Sequence, residues 1–168
     1  NDFLKNIGQK PITINDIDID KNIERLKRFY DSKGYFDSNI SYDSIIEFNQ
    51  LTAKYSVETK ERYLIDSITV NIESRDLDSL YKAHSSESKI KKGEFFTIDK
   101  LILERDRLIK LFKNNGIYNF QQRSINYQVL IDSTGNFKKI PIILNVKDID
   151  QETDYQIRKI DNINIFVE

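Results

Sequence analysis

One order of residues occurs twice within this 168-residue chain. An amphipathic run from Asn22 ends in Gly34-Tyr35-Phe36, and a second run from Arg105 ends in Gly116-Ile117-Tyr118. Alternating polar and apolar residues follow in both places. A further echo comes next, because Tyr63, Ile65 and Ile68 share their Y-x-I-x-x-I spacing with Tyr155, Ile157 and Ile160. Recurrence in fixed order, at a period of roughly 80–90 residues, marks tandem copies of one supersecondary unit. The chain is therefore restricted to small modules in series, each with its own core.

Composition narrows the function. With 26 basic and 27 acidic residues the formal net charge is −1, so the basic excess of a nucleic-acid binder is missing. Apolar residues make up 39% and aromatics 11%, enough for packed cores. No apolar run approaches the ~18 residues of a membrane-spanning helix. Cysteine is absent, which excludes disulfides, thiolate metal sites and a cysteine nucleophile. The chain begins at Asn1, holds no methionine, and cuts the repeats unevenly, so it reads as a fragment of a longer protein.

The first copy is expected to open at Asn15 or Asp16, whose side chains can cap a helix. Ile19, Ile23, Leu26 and Tyr30 then recur at helical spacing, and Gly34 suits the left-handed residue that ends a helix. Ile40, Tyr42, Ser44 and Ile46 alternate, as do Leu51, Ala53, Tyr55 and Val57, which predicts a hairpin. The second copy starts with a strand over 63–72, and Leu77, Leu80 and Tyr81 mark a short helix. A polar loop is expected over 85–92. A longer helix follows, capped by Thr97, with Ile98, Leu101, Leu108 and Phe112 on one face and Arg105 at its edge. Ile125, Tyr127, Val129 and Ile131 alternate, a turn containing Gly135 follows, and Ile140, Ile142, Leu144 and Val146 alternate back. Pro141 lacks an amide donor and is expected at a strand start, a bulge or an outward position. The complete unit is thus β-α-α-β-β, an α+β module whose three-stranded mixed sheet is covered on one face by two helices. We expect a partial module over 1–60, a complete one over 61–148, and the first strand of a third over 149–168. On that phase the tail from Tyr155 should be poorly ordered or pair between molecules. Only a few residues separate the modules near Lys60-Glu61-Arg62, so restricted swing is expected there.

Reactive chemistry is not encoded in any recognisable pattern. His84, the sole histidine, has no nucleophile or orienting acid marked beside it and reads as a packing or surface residue. Asp16, Asp18 and Asp20 lack the glycine and glutamate that close a calcium loop, and they overlap a helix start where acids suit the dipole. Lys91-Lys92 and Lys138-Lys139 read as solvated surface. With no glycine-rich phosphate loop or metal constellation, the expectation is a chain with no enzymatic activity, catalytic residue, metal, cofactor, nucleic acid or small-molecule substrate.

The repeated order resembles POTRA (polypeptide-transport-associated) domains. The resemblance rests on Leu26, Tyr30, Gly34, Tyr35 and Phe36, then Val57-Glu58 through Tyr63, Ile65 and Ile68, with Leu108, Gly116, Tyr118 and Tyr155 to Ile160 in the next copy. The Lys/Asn/Ile-rich composition and Gly8-Gln9-Lys10-Pro11 look like the Bacteroidetes branch of outer-membrane assembly factors, Bam-type or Tam-like. The resemblance implies a periplasmic scaffold arm at the outer membrane, with a β-barrel in the same parent chain. Its implied partners are unfolded outer-membrane proteins, together with accessory lipoproteins or chaperones. The alternatives are a two-partner secretion transporter, which the start of a third unit at Tyr155 argues against, and a docking domain of a cell-division membrane protein, which the repeat argues against. The implied client surface is the second strand of each module, an exposed edge able to accept an added strand. Here it comprises Ile125, Asn126, Tyr127, Gln128, Val129 and Ile131, and in the first copy Ile40, Tyr42, Ser44 and Ile46.

Overall fold

Asp18 opens the first helix: its carboxylate accepts the amide of Lys21 at 3.0 Å, satisfying one donor that the helix start leaves free. The computed structural model describes residues 18–48, 50–131, 137–147 and 155–166. The caps expected at Asn15 and Asp16, and the turn at Gly135, lie outside them. The chain divides into two units between Glu61 and Arg62.

In the first unit, helix α1 (Ile19–Ser32) precedes an antiparallel hairpin of β1 (Asn39–Glu47) and β2 (Gln50–Glu58). Ile19, Ile23, Leu26 and Tyr30 are all half-buried, as their spacing requires of one helix face. Asn22 donates to the Tyr55 hydroxyl at 3.1 Å and ties the helix to the sheet, where Tyr55 packs on its cross-strand partner Tyr42. Among the described residues of this unit no apolar side chain is fully buried.

The Gly-aromatic repeat has one physical explanation in both copies. Gly34 lies at φ +89°, its amide bonds Asp31 O, and the amide of Tyr35 reaches back to Tyr30 O at 3.0 Å. Gly116 lies at φ +93°, its amide bonds Lys113 O, and that of Ile117 reaches Phe112 O at 3.0 Å. These paired bonds form the Schellman helix end, which favours glycine at the left-handed position. The residue after the glycine then meets one in the last helical turn. Tyr35 meets the Tyr30 ring edge-on, and Phe112 and Ile117 are both fully buried in one core.

The second unit runs β3 (Leu64–Ile72), α2 (Arg75–Ala83), α3 (Ile98–Asn114), β4 (Ile125–Val129) and β5 (Lys139–Val146). Its sheet has the order β3-β5-β4, with β3 parallel and β4 antiparallel to the central β5. This is the α+β fold with a mixed sheet that the alternation predicts. Ser74 and Thr97 cap the two helices. Ile140, Ile142, Leu144 and Val146 are all buried, and Leu77, Leu108, Phe112, Ile117 and Phe120 help to close the core with Leu144 and Val146. The opposite face is largely polar: Asn71 donates to Asn145 at 2.9 Å, and Asn126 stands across from Asn145 on the other side.

Several expectations need correction. The buried stripe of α3 is Leu101, Glu104, Leu108 and Phe112, whereas Ile98 is exposed. The stretch over 85–92 contains a short 3-10 turn and buries Ile90. Residues 155–166 form no strand: Tyr155 is buried in the core of the second unit, and Ile160, Ile163, Ile165 and Phe166 are exposed. The beginning of this tail is docked on the unit and is not free. Pro141, by contrast, takes one of its expected placements, opposite a bulge: β3 carries one extra residue at Asp66 between the pairs Ile65–Ile140 and Ser67–Pro141.

Removing the Phe112 ring leaves a cavity against Phe120, so Phe112→Ala should cost about 3–5 kcal/mol. Ile102→Ala, on the exposed side of the same helix, should stay within about 0.5 kcal/mol. Urea unfolding of both variants checks the contrast.

Candidate functional site

A β-strand directs its backbone groups alternately to the two sides. At the two ends of the β4–β5 pairing, Lys147 N donates to Ser124 O at 3.0 Å and Leu130 N to Pro141 O at 3.2 Å. The register pairs Asn126 with Asn145 and Gln128 with Ile143 between these points. The amides and carbonyls of residues 124, 126, 128 and 130 thus turn toward β5, and those of Ile125, Tyr127 and Val129 turn outward. The Ile125 amide donates to Gln122 O at the end of the 3-10 turn Gln122–Ser124; among the described residues no backbone hydrogen bond reaches the other outward groups. Pro141 has no N–H to return to Leu130 O, which explains why the pairing stops at Val129.

The two sheet edges differ. Residues 93–96 cover the start of β3: Ile65 N donates to Glu94 O at 2.8 Å, Gly93 N to Ile65 O at 2.8 Å, and Phe96 N to Tyr63 O at 3.0 Å. Gly93 makes that approach at φ +82°. β4 carries no such cover among the described residues.

The expected site residues therefore divide. Ile125 is buried, Tyr127 and Val129 are half-buried on the helix side, and Asn126 and Gln128 lie on the exposed face. Ile131 lies beyond the strand and is exposed, near Leu130, Phe137, Asp66, Lys139 and Pro141 around a shallow depression of about 490 Å³. In the first unit Ile40 and Tyr42 are half-buried, while Ser44 and Ile46 are exposed near the hairpin tip beside Ile45 and Phe48. His84 does not join these residues; its Nδ1 lies 2.8 Å from Glu87, whose carboxyl that bond holds below the usual range.

A charged cluster behind β4 was not legible in the sequence. Glu104 is 1% exposed and receives three donors: Arg107 Nη2 at 2.6 Å, Arg107 Nε at 2.9 Å and the backbone amide of Lys89 at 2.7 Å. Arg107 also donates to His84 O at 3.3 Å, so this pair fastens the α2–α3 connection to α3. The bond to Glu104 raises the Arg107 pKa, which keeps the guanidinium charged. Arg105 lies over the Tyr127 ring at 5.6 Å. The Tyr127 hydroxyl is buried with no hydrogen-bond partner among the described residues. Burial first, and the Glu104 charge second, push the Tyr127 phenol well above its usual range. Tyr81 is pushed up by the same two causes in the same order. A glutamate at i+3 from Leu101 and i−3 from Arg107 offers a weak signal for such a pair.

No family model matches the chain. It is 25% identical over 146 residues to the outer membrane protein assembly factor BamA of Buchnera aphidicola subsp. Acyrthosiphon pisum, a match spanning 85% of this chain and 22% of that protein. The chain thus spans about a fifth of that relative's length. Among solved structures, it is similar to POTRA3-5 of Haemophilus influenzae BamA, with TM-score 0.46, 14% identity, and coverage of 78% of this chain and 50% of that one. It is also similar to POTRA1-3 of the periplasmic domain of Omp85 from Anabaena, with TM-score 0.41, 14% identity, and coverage of 83% and 52%. The BamA match agrees with the resemblance carried by the repeated motifs. Among the described residues no helix is long and apolar enough to cross a membrane.

Two outcomes follow for the charged cluster. Glu104→Ala strands the Arg107 charge in the interior and should destabilise by about 3–5 kcal/mol in urea titration. The raised phenols of Tyr81 and Tyr127 contribute stability that is present below about pH 10 and is lost as pH rises through their folded values. Tyr127→Phe should flatten this alkaline decline. It should leave the thermal midpoint at pH 7 unchanged or higher, because it removes a buried hydroxyl without a partner.

Proposed function

We propose that this chain is a stretch of the periplasmic arm of a Bam-type outer-membrane β-barrel assembly factor. On this reading the first unit supplies the second half of one POTRA-type module and the second unit a complete one. The modules are non-enzymatic scaffolds that hold extended segments of unfolded outer-membrane proteins and dock accessory lipoproteins or chaperones, with the barrel elsewhere in the parent chain.

The observation that carries this reading is the open β4 edge. Tyr127 and Val129 present unpaired donors and acceptors in line with the outward carbonyl of Ile125, and such a line pairs with any extended chain irrespective of its side chains. Main-chain recognition suits a scaffold whose clients share strand geometry and not sequence. The similarity to BamA, named as an assembly factor, supports the cellular setting. The largely polar sheet face beside the edge supports it as well, because Asn126 and Gln128 keep that side wet and leave the backbone as the sticky element.

Alternation selects the test. Proline at Val129 deletes only an outward donor, the edge situation in which sheets tolerate proline. Proline at Gln128 deletes a donor that pairs with β5, and should lower stability by about 1 kcal/mol or more. A photoreactive residue placed at Asn126 should crosslink a urea-denatured outer-membrane β-barrel protein as it is diluted into buffer. Val129→Pro should cut that yield several-fold while the thermal midpoint moves by only a few degrees. Undiminished crosslinking by folded Val129→Pro would remove the β4 edge from the mechanism.

A further inference from the structure

The second echo, Tyr155-x-Ile157, has a structural role apart from the edge. The Tyr155 ring is 1% exposed and packs on Phe120, with ring centroids 5.0 Å apart. Its hydroxyl lies 2.7 Å from the Ser124 hydroxyl, a buried pair. Ser124 is the residue immediately before β4. The Tyr155 carbonyl accepts from Ser74 Oγ at 2.7 Å, and Ser74 is also the N-cap of α2. Next along the chain, Ile157 N donates to Asp76 at 3.0 Å in the first turn of α2, and Arg158 N donates to Gly116 O at 2.9 Å just past the end of α3.

Gly116 thus meets two demands. Its φ of +93° already favours glycine. In addition, a Cβ at this position would stand 2.6 Å from Arg158 O and 3.1 Å from the Ile157 side chain. A backbone contact at 2.6 Å cannot be relieved by turning a side chain, so the helix end is shaped to receive a second backbone.

We propose that Ser74, Asp76, Gly116, Phe120 and Ser124 form a socket for an extended, tyrosine-led segment, occupied here by residues 155–158 as a strap. The strap fixes the direction in which the chain leaves the module. Through the Tyr155–Ser124 bond it also holds the residue that leads into β4, so that exit and edge strand are mechanically coupled. This inference does not depend on what binds at the edge; it stands on contacts within the second unit.

Amide hydrogen exchange on the full chain tests it. In the parent chain the amides of Ile157 and Arg158 should be protected, and those of Ile163 and Ile165 should exchange freely. Tyr155→Phe keeps the ring and removes only the hydroxyl bond. It should speed exchange at Arg158, and at the β5-facing amides of Asn126 and Gln128, by roughly five- to tenfold while leaving Ile142 in β5 unchanged. Asp76→Asn should release Ile157 with little effect on β4. Arg158 exchanging as fast as Ile163 in the parent chain overturns the strap. Equal acceleration at Gln128 and Ile142 in Tyr155→Phe, the sign of uniform destabilisation, overturns the coupling. Gly116→Ala offers a second check, since unchanged Arg158 protection there contradicts the close approach.

Discussion

The second unit depends on the central strand β5 facing the helices with every other residue. Ile140, Ile142, Leu144 and Val146 are all within 1% of full burial, and burying each contributes about 1.5–3 kcal/mol relative to exposure. A slip of one residue would turn all four to the polar face, so the register is strongly specified. Its backbone alternates as well. Val146 O receives Glu73 N from the β3 side, while Pro141 O receives Leu130 N from the β4 side. The burial of four apolar side chains therefore determines which groups of β4 point outward. The chemistry of the edge follows from the packing of the core.

Two polar exceptions sit within this frame. A carboxylate in the buried stripe of α3 would be costly alone, since an unpaired buried charge loses its solvation. Glu104 is tolerated because three donors replace the water, and those donors fasten the α2–α3 connection. Pro141 in a central strand is disfavoured for lack of a donor. It sits opposite the Asp66 bulge on one side and at the last residues of β4 on the other, where one missing bond merely ends the pairing. Both exceptions occur where the local geometry already departs from regularity.

Patterns with a period were legible in the sequence. The stripe of α1, the alternation of β5, the cap Thr97 and the Gly-aromatic helix ends need only near neighbours along the chain. The placement of Glu104 required knowledge of Lys89 N and His84 O, which belong to a connection whose path no periodicity sets. Ile98 looked like the head of the apolar stripe, but it falls in the first turn, past the reach of the sheet. The outward set of β4 residues was half legible: alternation marks which side chains share a face, but only the register with β5 tells which amides are free. Gln128 is in the right strand and faces the wrong way for edge pairing.

The Tyr-x-Ile-x-x-Ile echo shows why equal sequence spacing need not yield equal structure. In β3 the step of three between Ile65 and Ile68 breaks a strict alternation, and the bulge at Asp66 absorbs the extra residue so that both isoleucines serve the helix side. That bulge exists because β5 runs alongside and holds the flanking pairs. In the tail, Tyr155 and Ile157 repeat the spacing without a neighbouring ladder among the described residues, and the segment forms no strand. A β-strand needs a partner for its backbone, whereas a tyrosine needs only a pocket and one acceptor or donor for its hydroxyl. Tyr155 finds both in Phe120 and Ser124, so its burial survives where strand formation does not. The same motif can thus begin a sheet in one setting and anchor an extended segment in another, with the backbone partner deciding between them.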